Sequence, residues 1–176
     1  MKKKILLLPL GVFSLILFIF FYLLLIERNP SEIPSNLIDK SVPKFKSESL
    51  IVNEKYITQE HFQNKITLLN FFASWCKPCR DEHKYIKLLS NNKNIQVIGI
   101  NYKDNPNKAK AWLDMVGNPY MHIGTDKKGS IAIEWGVYGI PETFIINSKS
   151  IIKYRHVGPI TKKVYKKINS IISETK

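Results

Sequence analysis

Hydrophobic and polar positions divide the chain into three kinds of stretch. From Ile5 to Ile26 no charged residue interrupts a run dominated by Leu, Ile and Phe. Residues 66–72 (ITLLNFF) and 95–102 (IQVIGINY) are short, nearly continuous apolar runs, the pattern of strands buried on both faces. Elsewhere apolar residues recur at helical spacing. After a Cys-x-x-Cys pair, residues 80–90 place Tyr85, Leu88 and Leu89 on one face. Asn105 caps a further helix with Pro106 at its first position, Ala111, Trp112 and Met115 turned inward and Gly117 stopping it. Residues 129–137 predict a short helix. Residues 142–147 and 151–158 predict two strands joined by a Ser-Lys-Ser turn, and residues 160–173 a closing helix striped by Val164, Ile168 and Ile171. A strand–helix–strand–helix unit followed by a strand pair and a helix implies an α/β domain with a mixed sheet covered by helices.

The apolar run at the start is a separate matter. At about 1.5 Å per residue, a helix from Ile5 to Ile26 is roughly 30 Å long, the thickness of a bilayer's hydrocarbon core. A cleavable signal peptide has a shorter apolar region, about 7–15 residues, followed by small residues; Leu23-Leu24-Leu25-Ile26-Glu27-Arg28 offers none. An uncleaved transmembrane anchor over 5–26 is therefore expected. Lys2, Lys3 and Lys4 would hold residues 1–4 in the cytoplasm. Everything after the span would then lie outside, in a compartment where thiols tend to be oxidised. Residues 27–40, punctuated by Pro30 and Pro34 and without periodicity, read as a tether, and the folded domain as residues 41–176.

Composition adds little. The 176 residues and 44% hydrophobic content suffice for one domain with its own core. The formal charge of +13 raises the question of nucleic acid, but the lysines are scattered along the chain and read as a solvated basic surface. No nucleic-acid partner is expected.

The chemistry lies in Cys76 and Cys79, the two cysteines of the chain. A structural zinc site takes roughly four ligands, whereas the chain has one Cys-x-x-Cys and its histidines, His61, His83, His122 and His156, lack paired spacing; no metal is expected. A staple across so short a loop removes little unfolded-state entropy. Redox chemistry fits the position. The pair sits where the first buried strand gives way to a helix, so the two sulfurs share one face of its first turn. The first N–H groups and the helix dipole stabilise a thiolate there. Cys76 would be the exposed nucleophile and Cys79 the more buried partner. Lys77 would add positive charge, Pro78 suits a helix start, and Trp75 lies beside the pair.

WCKPC (residues 75–79) after LLNFFAS (residues 68–74) resembles the thioredoxin superfamily. VPKF, WCKPCRDEH, GINYKD, KAWL, GNPY, GVYGIPETFIIN and IIKYRHVGPI, spread over residues 42–160, resemble the CcmG/DsbE family of membrane-anchored thiol-disulfide oxidoreductases of cytochrome c maturation. The resemblance implies a thioredoxin-like fold, a mixed central sheet flanked by helices, preceded by one N-terminal transmembrane helix. It implies Cys76 and Cys79 as the redox pair, with no cofactor besides their disulfide. Pro141 becomes a cis-proline facing them, and Ile140 a backbone position at which a bound peptide pairs like an added strand. Glu82 and Glu142 match acidic residues that tune thiol acidity or recognise partners. Where thioredoxin itself carries a buried Asp, this chain has Asn70, which cannot serve as a base. Lys77-Pro78 departs from the Pro-Thr dipeptide more usual in the family.

The resemblance further implies a reductant. Its substrate would be apocytochrome c, whose cysteines must be thiols before haem attaches, or a haem-lyase component. Its electron donor would be a membrane thiol carrier of the DsbD/CcdA type. The enzyme would sit in the inner membrane by a single pass, with its catalytic domain on the periplasmic side. Two other functions suit the same residues: a general extracytoplasmic disulfide reductase or oxidase without a cytochrome role, and a membrane-tethered metal chaperone.

Overall fold

The computed structural model describes residues 2–25 (side chains from Pro9 onward), 36–50 and 54–175. The chain divides into two compact units, Met1–Pro30 and Ser31–Lys176. The first contains α1 (Lys2–Leu25), with Pro9 inside it. Its large apolar side chains from Leu10 to Leu25 point outward on every side, so the helix has no polar face. Among the described residues no helix is long and apolar enough to cross a membrane, the described side chains of α1 beginning only at Pro9. The tether expected over 27–40 lies outside the described residues as far as residue 35.

In the second unit the elements run β1 (Lys46–Ser49), β2 (Tyr56–Thr58), a 3-10 turn (Gln59–Phe62), β3 (Ile66–Phe72), α2 (Lys77–Ser90), β4 (Ile95–Tyr102), α3 (Pro106–Val116), β5 (His122–Asp126), α4 (Ser130–Glu134), β6 (Glu142–Ile146), β7 (Ile152–Val157) and α5 (Lys162–Glu174). They form one mixed sheet in the order β2-β1-β5-β4-β3-β6-β7. Strands β3, β4 and β5 are parallel, and β6 returns antiparallel to β3. The fold takes hold before Ser41: the Asp39 N–H donates to the Ile152 carbonyl at 2.8 Å, and Leu37 and Ile38 pack against the core.

β3 explains its own apolar run. Leu68 and Phe72 face one layer with Ile86, Leu89, Trp112 and Ile168, while Leu69 and Phe71 face the other with Ile98, Ile100, Trp135 and Phe144. A strand buried on both faces needs no alternation, and of its two polar residues, Thr67 and Asn70, both fully buried, Asn70 is held for a reason given below.

Three strands escaped the pattern. β1 (KSES) is polar and β2 (YIT) only three residues long, with Ile57 alone buried in the core; both are held by pairing with their neighbours. β5 (HIGTD) offers little apolar signal, yet it extends the parallel set beside β4. The helical stripes also shift. α3 buries Ala109, Trp112 and Leu113, leaving Met115 81% exposed and Ala111 outward; spacing of three and four residues is satisfied from Ala109 and not from Ala111. α2 buries Ile86 and Leu89 and leaves Leu88 exposed.

Candidate active site

The carboxyl ends of β3 and β4 and the loop before β6 converge on the two cysteines. β3 ends at Phe72, and residues 73–76 turn into α2. Asp104, just after β4, anchors this turn: its carboxylate accepts the Ser74 N–H at 2.6 Å and the Ser74 hydroxyl at 2.9 Å, together with the Asn101 amide at 2.9 Å and the Asn105 N–H at 2.8 Å. Arg80, one turn into α2, reaches back and donates to the Ser74 carbonyl through Nε and Nη2. Trp75 is exposed beside the pair, its indole N–H donating to the Lys103 carbonyl at 3.1 Å. The turn is thus pinned from both sides before the chemistry begins.

Cys76 is the N-cap of α2, with backbone angles of −82° and 109°, and Pro78 lies in the first turn, where no N–H partner is needed. The Cys79 N–H donates to Cys76 Sγ at 3.1 Å. A free N–H of the helix start is therefore aimed at this sulfur, the arrangement that stabilises negative charge there. The sulfurs of Cys76 and Cys79 are joined in a disulfide. Both residues are buried, at 3% and 2% exposure, so Cys76 is not the exposed partner expected from its position. The cover is the loop before β6: Cys76 Sγ lies 3.8 Å from the Ile140 carbonyl oxygen, and the Ile140–Pro141 bond is cis. What distinguishes the two cysteines is the cap position. Lys77 extends into solvent towards Asp81, at 3.4 Å.

Glu82, three residues after Cys79 and on the same face of α2, is 1% exposed, not a solvated helix charge. Its Oε1 accepts the Asn70 amide at 2.9 Å and its Oε2 the Ile160 N–H at 2.8 Å. Asn70 also donates to Thr143 Oγ1 at 3.1 Å, and its carbonyl accepts the Tyr120 hydroxyl at 2.8 Å. This closed network is why a polar residue can sit in the middle of β3. Burial pushes the Glu82 carboxyl up to about 7, against the two hydrogen bonds that favour its charge. Burial, with the nearby Glu82 charge, also drives the Tyr120 phenol well above its ordinary range, keeping it a neutral donor. Tyr120 reaches Asn70 because it stacks on Phe72, ring centres 4.7 Å apart, across Gly99. A Cβ at Gly99 would stand 2.7 Å from Phe72 Cε1 and 3.0 Å from Tyr120 Cδ1.

Glu142, fully buried, does something else. Its Oε2 accepts Nε and Nη2 of Arg155 at 2.8 Å, and its Oε1 accepts the N–H groups of Tyr138 at 2.9 Å and Gly139 at 3.4 Å. Its acceptor positions are filled, and the group it holds is the loop that carries Ile140 and Pro141. Arg155 in turn donates to the Gly136 carbonyl at 2.7 Å. Arg155, Tyr120, Thr143 and Asp104 are site residues that sequence reasoning missed. A signal existed for one: in an antiparallel pair where Phe144 faces Arg155, Glu142 lies two residues away on the same face.

A disulfide at the N-cap of a helix, opposite a cis-proline loop on a sheet of this order, defines a thioredoxin-like thiol-disulfide oxidoreductase. The Redoxin family profile matches residues 38–171. The thiol:disulfide interchange protein DsbE of Escherichia coli is 43% identical over 171 residues, covering 94% of this chain and 91% of its own. The thiol:disulfide interchange protein CycY of Rhizobium leguminosarum is 41% identical over 134 residues, 76% of this chain and 72% of its own. Among solved structures, a DsbF homologue from Corynebacterium diphtheriae superposes with a TM-score of 0.67 at 20% identity, over 83% of this chain and 96% of that one, a likeness of fold. The chain belongs to the DsbE-type thiol:disulfide interchange proteins.

Proposed function

We propose that the protein is a membrane-anchored reductant of cytochrome c maturation, which keeps the cysteines of apocytochrome c, or of a haem-lyase component, as thiols for haem attachment. The observation that carries its chemistry is the Cys79 N–H directed at Cys76 Sγ at the helix cap. In the reduced protein the Cys76 thiolate attacks one sulfur of a substrate disulfide, forming a mixed disulfide and releasing the other sulfur as a thiolate. Cys79 loses its proton to Glu82, whose carboxyl titrates near the working pH, and attacks Cys76 Sγ. The second substrate sulfur leaves as a thiolate. The substrate has gained two electrons and the protein holds the Cys76–Cys79 disulfide. The backbone of Ile140 and the face of Pro141 form one wall of the peptide groove, Trp75 and Pro78 its exposed rim, and Lys77 a charge at its mouth.

The disulfide is restored to thiols by a membrane thiol carrier of the DsbD/CcdA type. The charge-free run from Ile5 to Ile26, preceded by Lys2–Lys4, supports an inner-membrane anchor with the catalytic domain on the periplasmic side. Such a tether raises the effective concentration of the domain near membrane-bound partners.

The test is covalent capture in intact cells. Cys79→Ser leaves mixed disulfides on Cys76 unresolved and accumulates them, with a c-type apocytochrome or haem-lyase component prominent in mass spectrometry; Cys76→Ser accumulates almost none. Equal capture by both variants refutes the assigned roles. Capture of unrelated exported proteins without any cytochrome-assembly component refutes the cytochrome duty while leaving the chemistry intact.

A further inference from the structure

Three titratable groups that disulfide exchange does not use meet at the opposite end of the parallel strands. Glu54 lies between β1 and β2, His61 in the 3-10 turn, and His122 at the first residue of β5. Cys76 follows the end of β3, where Phe72 pairs with Asn101; His122 instead pairs with Ile98, and the His61 carbonyl accepts the Gln96 amide. Glu54 Oε1 lies 2.8 Å from His61 Nε2 and 3.0 Å from His122 Nδ1. One donor atom from each of the three lies within 4.8 Å of the other two. The imidazole rings meet edge to face, 4.9 Å between centres.

We propose that Glu54, His61 and His122 form a binding site for a divalent transition cation of the zinc class, with water completing its coordination. Two imidazoles and one carboxylate are donors that suit such an ion. Zinc–ligand bonds of about 2.0–2.2 Å in a tetrahedron set the donors about 3.3 Å apart. The two observed edges need to open by only about half an ångström for the ion to replace the hydrogen bonds that Glu54 now accepts. His61 is prepared for that exchange. Its Nδ1 lies 3.1 Å from both the Thr58 N–H and the Thr58 carbonyl oxygen. Nδ1 now accepts the Thr58 N–H; moving the ring proton to Nδ1 gives up that bond, lets the ring donate to the Thr58 carbonyl and frees the Nε2 lone pair, the support that metal-bound histidines ordinarily have. The Ser49 hydroxyl lies 3.4 Å from Glu54 Oε2 and can steady the carboxylate. The side chains of Glu54, His61 and His122 are 21%, 23% and 26% exposed, so a hydrated ion has a path in and room to keep water. The bound ion would tie the β1–β2 connection and the nearby 3-10 turn to β5, which lies more than sixty residues further along the chain.

The experiment uses the full chain without an affinity tag, in detergent, with the Cys76–Cys79 disulfide closed so that no thiolate competes. Calorimetric titration with zinc chloride is expected to give one ion per chain. His122→Ala and Glu54→Gln are each expected to weaken binding at least a hundredfold. Their thiol-disulfide exchange should stay at the unsubstituted rate, a readout that separates loss of the ion site from loss of the fold. Independently of any variant, cobalt(II) bound by the unsubstituted chain should show the visible bands of a low-coordinate nitrogen–oxygen site without thiolate charge transfer. Failure to bind zinc stoichiometrically, binding that survives both substitutions, or a cobalt spectrum lacking those bands overturns the site.

Discussion

Glu82→Gln isolates the buried carboxyl behind the disulfide. The wild-type group titrates at about 7 in the fold against an ordinary 4.5, and burial is the cause. The folded state thus holds a proton that the unfolded chain has released between those two values. Because the folded pKa of this acid is raised, its contribution favours folding at low pH and is lost as pH rises through 4.5 to 7. At about 1.4 kcal/mol per unit, the whole window is worth about 3 kcal/mol, most of it falling between pH 5 and pH 8. Gln has nearly the same shape and cannot titrate. It also turns an N–H towards the Asn70 amide, a mismatch costing about 1–3 kcal/mol at every pH. The pH slope therefore separates the charge from the packing. Urea unfolding of both oxidised chains at pH 5 and pH 8 measures it: the wild type should lose roughly 2–3 kcal/mol more than the variant over that interval. Parallel losses within about 1 kcal/mol would refute a carboxyl poised near neutrality, and with it the assignment of Glu82 as the proton acceptor for Cys79. The same variant should slow disulfide reduction by about a hundredfold at neutral pH, the low end for removal of a general acid–base group, as measured by stopped-flow Trp fluorescence.

Two other substitutions probe the frame around the pair. Arg155→Ala leaves the Glu142 carboxylate buried without its cation and should destabilise the fold by about 3–5 kcal/mol in denaturant titration; a loss below about 1 kcal/mol would mean that Glu142 finds another partner or a proton. Gly99→Ala forces a methyl between Phe72 and Tyr120 and should cost about 1–3 kcal/mol, with the pH slope assigned to Glu82 changing as Tyr120 is pushed off Asn70.

How far the residues alone led differs from element to element. β3 and β4 are legible because strands covered on both faces are apolar throughout, and α2 and α3 because Cys76 and Asn105 cap them with proline in the first turn. β1 and β2, at one end of the sheet, are not, since strands of four and three residues are too short to show alternation and are placed by pairing with distant segments. The cysteine pair stands out by spacing and by its position after a buried strand. Its covered state does not, because the loop holding Ile140 arrives from more than sixty residues away.

The sequence by itself therefore determined the central strand–helix–strand–helix order and the closing strand pair and helix, the helix start at the cysteines and the identity of the reacting pair, all of which arise from neighbours within a turn or a strand. The tertiary structure alone decided that Glu82 is buried with Asn70, Tyr120 and Thr143, that Arg155 neutralises Glu142, and that Glu54, His61 and His122 share one corner. Those outcomes depend on which distant segments exclude water from a charge, and dielectric and distance are properties of the packed molecule that no local spacing carries.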